Sequence, residues 1–216
     1  MNRRVAVIDV GSISIKALVA GPDNTGRDLV NLFEATREVR MSKGISGHPP
    51  VLAEDRIRAG AESVAGLLKE CEEHGPLEAV RIVATSAVRS AANGGEFVKA
   101  VERSTGLGLS ILSGDEEAEA IAMGVLTDPA VGHSLSKLTV FDLGGGSLEL
   151  IRFEEEQMTQ RCSLPLGSVR LTERFVRDPR KPFSSEEQGE LNRHLESSIV
   201  GSIHPLEGPL VGCSGG

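Results

Sequence analysis

Leu138–Phe153, LTVFDLGGGSLELIRF, governs how the rest of the chain is read. An apolar run ends in Asp142, three glycines and Ser147 follow, and a second apolar run carries Glu149. The order predicts two strands joined in a hairpin. Glycines at 144, 145 and 146 can take positive φ and let backbone N–H groups approach an anion. Asp142 beside such a turn repels phosphate, so the pair makes sense with a cation between them. Oxygen ligands combined with phosphate favour Mg²⁺. GGGS alone is equally compatible with a glycine-rich hairpin and a solvated aspartate.

The chain states the pattern twice. Val5–Ala20, VAVIDVGSISIKALVA, matches it at a constant offset of 133 residues: Asp9 falls on Asp142, Gly11 on Gly144, Ser14 on Ser147 and Lys16 on Glu149. Such self-similarity points to two related halves, each opening on a hairpin that presents a phosphate turn. Two facing turns can grip a polyanion from both sides. Cys213-Ser214-Gly215-Gly216, after the apolar Leu210-Val211, is a third candidate turn.

Composition narrows the function classes. A chain of 216 residues can bury a core and form one or two domains. Its net charge of −8, with six Phe and no Trp or Tyr, excludes a nucleic-acid surface, which wants a basic stripe and stacking aromatics. An acidic protein with an anionic substrate must supply positive charge locally. Cys71, Cys162 and Cys213 are odd in number and widely spaced, as expected of buried, reduced thiols in a cytoplasmic protein. Histidines 48, 74, 133, 194 and 204 form no zinc-ligand spacing. Nothing approaches the ~20 apolar residues of a membrane span, and the first residues are too short for a signal peptide.

Between the two hairpins the signals alternate. Leu29–Val39 reads as a third strand and Met41–Pro50 as a loop. Ile57, Ala61, Val64, Leu68 and Cys71 form one apolar stripe on a helix over about 53–73. Ala79–Ala84 is a buried strand leading into Thr85–Arg89, small hydroxyls and a cation at a strand's carboxyl end, where ligands of open α/β sheets gather. Arg89 is equally read as a surface residue of the next helix. A short helix around Phe97, Val98 and Val101 closes at Gly106, and Leu109–Leu112 is another strand. Ser113 and Glu116 form a capping box. Asp115, Glu116 and Glu117 complement the dipole of that helix, which favours a structural role, although one could face the cleft as a general base. Residues 127–137 are the expected hinge. In the second half, Arg161–Val169 predicts a strand and turn, Arg170–Val176 a short helix. Ser184 and Glu187 cap a helix with Leu191, Leu195, Ile199 and Ile203 on one face. The chain ends on a strand, as a truncated second unit would, and an exposed strand edge predicts poor solubility or dimerisation of this piece.

Five stretches in this order, IDVGSISIK, ATSAVRSAAN, ILSGDEEAEAIAMGV, VFDLGGGSLEL and SLPLGSVRLTERF, make the chain resemble the exopolyphosphatase / guanosine pentaphosphate phosphohydrolase family. The resemblance covers the chain nearly end to end. It implies the actin/Hsp70/sugar-kinase superfamily fold, with two ribonuclease-H-like α/β domains and a cleft between them. Residues 1–134 would form the first domain and 135–216 the start of an incomplete second. It implies Mg²⁺-dependent hydrolysis of terminal phosphoanhydrides, with polyphosphate or guanosine pentaphosphate as substrate, and a homodimer. By position, Glu117 matches the catalytic base. Asp142, Glu149 and Asp9 match acidic positions near the metal. Gly144, Gly145, Gly146 and Ser147 match the second phosphate turn, Gly11 and Ser12 the first, and Lys16 and Arg89 phosphate-contacting cations.

The chain departs from that family at three places. Ile13 stands where the first motif has Asn, Lys16 where it has Arg, and Leu148 where Thr is common. Losing an amide and a bidentate guanidinium weakens the first turn. Two other functions compete with hydrolysis: a regulatory module binding polyphosphate or an alarmone nucleotide without turnover, and a kinase of the same superfamily. Retained Glu117, Asp142 and Glu149 oppose the first. The GDEEA and SLPLGS stretches oppose the second.

Overall fold

A computed structural model describes residues 3–23, 25, 29–45, 47, 49–128, 137–155, 157–202 and 208–213. Val5–Val10 (β1) and Ser14–Pro22 (β2) pair antiparallel, with Ala6 opposite Val19, Ile8 opposite Ala17 and Val10 opposite Ile15. Because side chains alternate along a strand, these pairs share one face, and all six are buried. Leu29–Glu38 (β3) adds to β2 as an edge strand.

The helix Glu54–Glu73 (α1) covers the buried face with Ala61, Val64, Leu67, Leu68 and Cys71. Gly60 lets it come close: a β-carbon there would lie 2.7 Å from Met41 Sδ and from the Phe97 ring. The α1 crossover returns the chain as Ala79–Ala84 (β4), parallel to β1. Ser86–Ser90 (α2) and Gly94–Thr105 (α3) then lead to Leu109–Ile111 (β5), parallel to β4. Gly106 ends α3 in the left-handed conformation at φ 72°. The sheet order is β3-β2-β1-β4-β5.

The second sheet repeats the opening. Lys137–Leu143 (β6) and Leu148–Glu154 (β7) form an antiparallel hairpin, Gln157–Leu164 (β8) extends it on one side, and Leu210–Gly212 (β9) lies parallel to β6 on the other. Gly114–Thr127 (α4) lies against β7 and β8. Its Ala118, Ala122 and Val125 meet Leu138, Val140, Ile151 and Phe153 in a second core. Ser168–Phe175 (α5) and Ser185–Ile199 (α6) pack on each other.

By contact the chain divides into Met1–Leu112 and Ser113–Gly216. The compact units therefore separate before α4, whereas a boundary at 134/135 leaves α4 with the first. Most of the expected hinge, residues 129–136, lies outside the described residues, as do His48, His133, Ile203, His204 and residues 214–216 of the third turn.

Three expectations need correction. β8 begins at Gln157, several residues before Arg161, because its alternating polar residues suit an edge strand with one wet face. Of the three thiols only Cys71 is buried; Cys162 is half-buried and Cys213 exposed, though all three are free. Leu191, Leu195 and Ile199 do share a face of α6, but that face is only half-buried.

Candidate active site

Both hairpins close their turns with the same hydrogen bond. Gly11 N–H donates to Ser14 O at 3.0 Å, and Gly144 N–H donates to Ser147 O at 3.0 Å. At the foot of the first turn Asp9 stands opposite Lys16; at the foot of the second Asp142 stands opposite Glu149. The sequence repeat is thus a repeat of register. One charge differs in sign.

The second turn lies at the carboxyl end of β6, and the first helical turn of α5 rests on it. Ser168 N–H donates to Gly144 O at 2.9 Å, and Val169 and Arg170 N–H to Gly145 O at 3.0 and 3.2 Å. Ser168 Oγ donates to Gly144 O at 3.2 Å and Arg170 Nε to Gly146 O at 3.1 Å. Gly167 makes this approach possible, since a β-carbon there would fall 2.3 Å from the backbone of Gly145 and Gly146. The first turn is held similarly by the β3–α1 connection. Ser42 N–H and Oγ donate to Ser12 O, and Val39 and Arg40 N–H donate to Ile13 O. Arg40 adopts φ 56° to do so.

Two carboxylates of the second unit, Glu117 and Asp142, act on a third, Glu149. Glu149 is buried at 1% exposure. Its Oε1 accepts from Ser163 Oγ at 2.7 Å, and the Ser147 hydroxyl also bonds it. Burial, then the nearby Glu117 charge and to a lesser degree Asp142, push its pKa up to about 7 against the pull of the two hydroxyls. Glu117 reaches the group because Gly114 lets α4 close on β8: a β-carbon at 114 would lie 2.6 Å from that of Ser163. Arg161 ties α4 down further through Glu119 at 2.7 Å and Asp115 at 3.7 Å. The capping box at Ser113 is formed, but Glu116 alone serves it, which releases Glu117 for another role.

Among the described residues no three His, Cys, Asp or Glu side chains are arranged to hold a metal ion. The donors do fit a Mg²⁺ held by one or two carboxylates, with water and substrate oxygens completing the shell, its usual environment. Repulsion of Glu149 by Glu117 and Asp142 is what a cation there would relieve.

In the first unit, Gly11 and Ser12 lie at the carboxyl end of β1, and Thr85–Arg89 at that of the parallel β4. Thr85 N–H donates to Val10 O at 3.2 Å, so the two loops meet at one sheet edge. Arg89 sits on α2, half-buried, with its Nη1 donating to Leu112 O at 2.8 Å. Ser12 is buried and Lys16 exposed. Ile13 contributes its carbonyl to the turn whatever its side chain.

Ser163, Gly114, Gly167, Arg170 and Ser42 have no role that the sequence alone suggests. The SLPLGSVR stretch held three of them, and a glycine followed by a serine at a helix start was the available signal for close backbone approach.

Two sheets, each opening on a strand, glycine turn and strand, belong to an α/β fold of the actin/Hsp70/sugar-kinase superfamily. Within that class the chain belongs to the Ppx/GppA phosphatase family, which it matches over residues 18–203. It is 33% identical over 174 residues to the guanosine-5'-triphosphate,3'-diphosphate pyrophosphatase of Vibrio cholerae, covering 80% of this chain and 33% of that protein. The PPX-GPPA enzyme of Aquifex aeolicus is 28% identical, with TM-score 0.76 over 98% of this chain and 68% of that one. An exopolyphosphatase from Cytophaga hutchinsonii, 23% identical, shares the fold at TM-score 0.86 over 99% of this chain and 67% of that one. The chain spans about a third of the length of the curated relatives it matches. No helix among the described residues is long and apolar enough to cross a membrane.

Proposed function

We propose that this chain carries the site for Mg²⁺-dependent hydrolysis of terminal phosphoanhydride bonds, in inorganic polyphosphate or guanosine pentaphosphate. The observation that carries the proposal is the convergence of Glu117 and Asp142 on buried Glu149, at the foot of a glycine turn. Family membership supports the reaction class. Each candidate substrate is acted on, by name, in a relative.

Phosphoryl transfer needs positioning and charge neutralisation more than covalent help. Glu117 orients a water and takes its proton as the oxygen attacks the terminal phosphorus. The bridging P–O bond breaks and the shortened chain leaves with the bond's electrons. N–H groups of Gly145, Gly146 and Ser147 take up charge on the phosphate oxygens. Asp142 and Glu149 would hold Mg²⁺, which would supply positive charge to neutralise the phosphate oxygens. Gly11, Ser12, Lys16 and Arg89 are assigned as further phosphate contacts, and Asp9 as a metal-binding acid. Residues 1–134 and 135–216 are assigned to successive ribonuclease-H-like domains.

The test is orthophosphate release from long-chain polyphosphate and from guanosine pentaphosphate, with and without Mg²⁺, for the full protein and its Glu117→Gln variant. Release that requires Mg²⁺ and collapses in the variant is expected. Tight binding of either substrate with no release from both would replace hydrolysis with sensing, the function that Ile13 in the first turn favours.

A further inference from the structure

Gly144, Gly145 and Gly146 all have their carbonyls engaged from one side by a segment more than twenty residues downstream. In a trans peptide the N–H of each residue points opposite to the C=O of the residue before it. Capturing these three carbonyls therefore aims the N–H groups of Gly145, Gly146 and Ser147 to the other side, away from α5. Gly144 N–H is spent within the turn on Ser147 O. Consecutive N–H groups aimed to one side make an anion-binding nest. A glycine run has no such preference by itself, because each residue explores both signs of φ.

We propose that Gly167–Arg170 is a positioning clamp for this turn, and that Arg170 acts on phosphate through the Gly146 carbonyl rather than by touching it. The clamp rests on the phosphate-hydrolysing reading of the site and adds residues that reading does not use. Five hydrogen bonds from Ser168, Val169 and Arg170 reach three successive carbonyls. Gly145 O accepts two of them, which fills both lone pairs. Arg170 supplies the last bond from a guanidinium Nε, at 3.1 Å, and so holds the peptide whose N–H belongs to Ser147. The same serine's hydroxyl bonds Glu149, so the clamp also sets one donor to the buried carboxylate.

The first turn repeats the arrangement. Ser12 and Ile13 occupy the positions of Gly145 and Gly146 in the repeat, and their carbonyls are captured as well. The captors, Val39, Arg40 and Ser42, belong to the connection between β3 and α1, the place in the first unit that the β8–α5 connection takes in the second, although the two sequences differ. Arg40 holds a left-handed backbone, unfavourable for a non-glycine residue, to make its bond. Met41 is fully buried beside it and Arg56 Nη1 donates to Val39 O at 2.9 Å, which anchors that captor to α1. Two segments of different sequence, at the same place in the two units, thus hold corresponding carbonyls of two related turns.

The test uses the full chain, ¹⁵N-labelled, titrated with inorganic orthophosphate, alongside orthophosphate release from polyphosphate. Arg170→Lys keeps the positive charge and the helix but removes the Nε donor. It should shift the Ser147 amide signal in the free protein, weaken orthophosphate binding by about 5–10-fold, the scale of one ordinary hydrogen bond, and raise KM more than it lowers kcat. Arg174→Ala, one helical turn along and exposed, should do none of these. Gly167→Ala should broaden or move all three amides; should it fail to fold, Arg170→Lys decides alone. Unchanged amides and phosphate affinity in Arg170→Lys, with wild-type hydrolysis intact, would overturn the clamp but not the function. Orthophosphate that moves none of the three amides in the wild type, with no hydrolysis, would overturn both.

Discussion

Ser163 Oγ donates to Glu149 Oε1 at 2.7 Å, and Ser163 is also the residue that a side chain at position 114 would strike. One serine therefore holds the buried carboxylate and marks how near α4 comes to β8. Gly114→Ala should lower stability by about 1–3 kcal/mol through overpacking, although alanine is the better helix former. Thermal unfolding measures it. A raised midpoint would mean that α4 stands clear of β8.

Glu149 feels Glu117 and Ser163 in opposite senses, and the two variants should separate them. Glu117→Gln removes a neighbouring negative charge and should lower the Glu149 pKa from about 7; Ser163→Ala removes a stabilising donor and should raise it. Carboxyl ¹³C titration reads both. As the general base, Glu117 should cost about 10²–10⁴ in turnover when neutralised. Ser163→Ala should leave turnover measurable and move its pH dependence upward.

The elevated Glu149 pKa reverses the usual pH dependence of a carboxylate. Between the ordinary value of 4.5 and about 7 the folded chain keeps a proton that the unfolded chain has released. The stability this confers is full below pH 4.5 and is lost as pH rises through about 7. Denaturant midpoints without Mg²⁺ should decline across that window, and Glu149→Gln should flatten the decline. Mg²⁺ must displace the same proton, so its affinity should strengthen with pH over the same range, with proton release visible by calorimetry in buffers of differing ionisation heat.

Glu187 has the opposite sign. Ser184 Oγ at 2.6 Å and N–H at 2.8 Å donate to its Oε2, and Arg177 N–H at 2.8 Å to its Oε1. The Ser184 hydroxyl first, then these backbone donors, hold the carboxyl down at about 2. The stability it lends is present above pH 4.5 and lost as pH falls through about 2. Amide exchange at Ser184 and Arg177 should accelerate over that acid range while exchange in β1 and β2 does not. Equal acceleration everywhere would mean that the cap is not a separate unit of α6.

The two hairpins, α1, α4 and both capping boxes were legible because each rests on a local rule: alternation of apolar side chains, a 3.6-residue stripe, or a serine three residues before a glutamate. The repeat aligns Asp9 with Asp142 and Lys16 with Glu149, and the strand pairing then sets Asp9 opposite Lys16 and Asp142 opposite Glu149. What escaped was long-range. Ser163 meets Glu149 across a strand pair, and Gly167 meets Gly145 through a fold in the chain. Neither has a periodic signature. Glu117 is the middle case: its place in the first turn of α4 was evident, but its effect on Glu149 depends on a missing β-carbon at Gly114. The half-buried thiol of Cys162 was misjudged because burial of one residue on an edge strand depends on what packs over it.

The reliance of Gly144–Gly146 on Gly167–Arg170 bears on portability. A loop whose shape is written in its own sequence can be transplanted as a short cassette; this one cannot. Grafted into another hairpin, DLGGGS would bring flexible glycines without the carbonyl captors that orient them. The smallest transferable piece is the whole span from β6 through α5, with β7 and β8 serving as the spacer that returns the chain to its own turn.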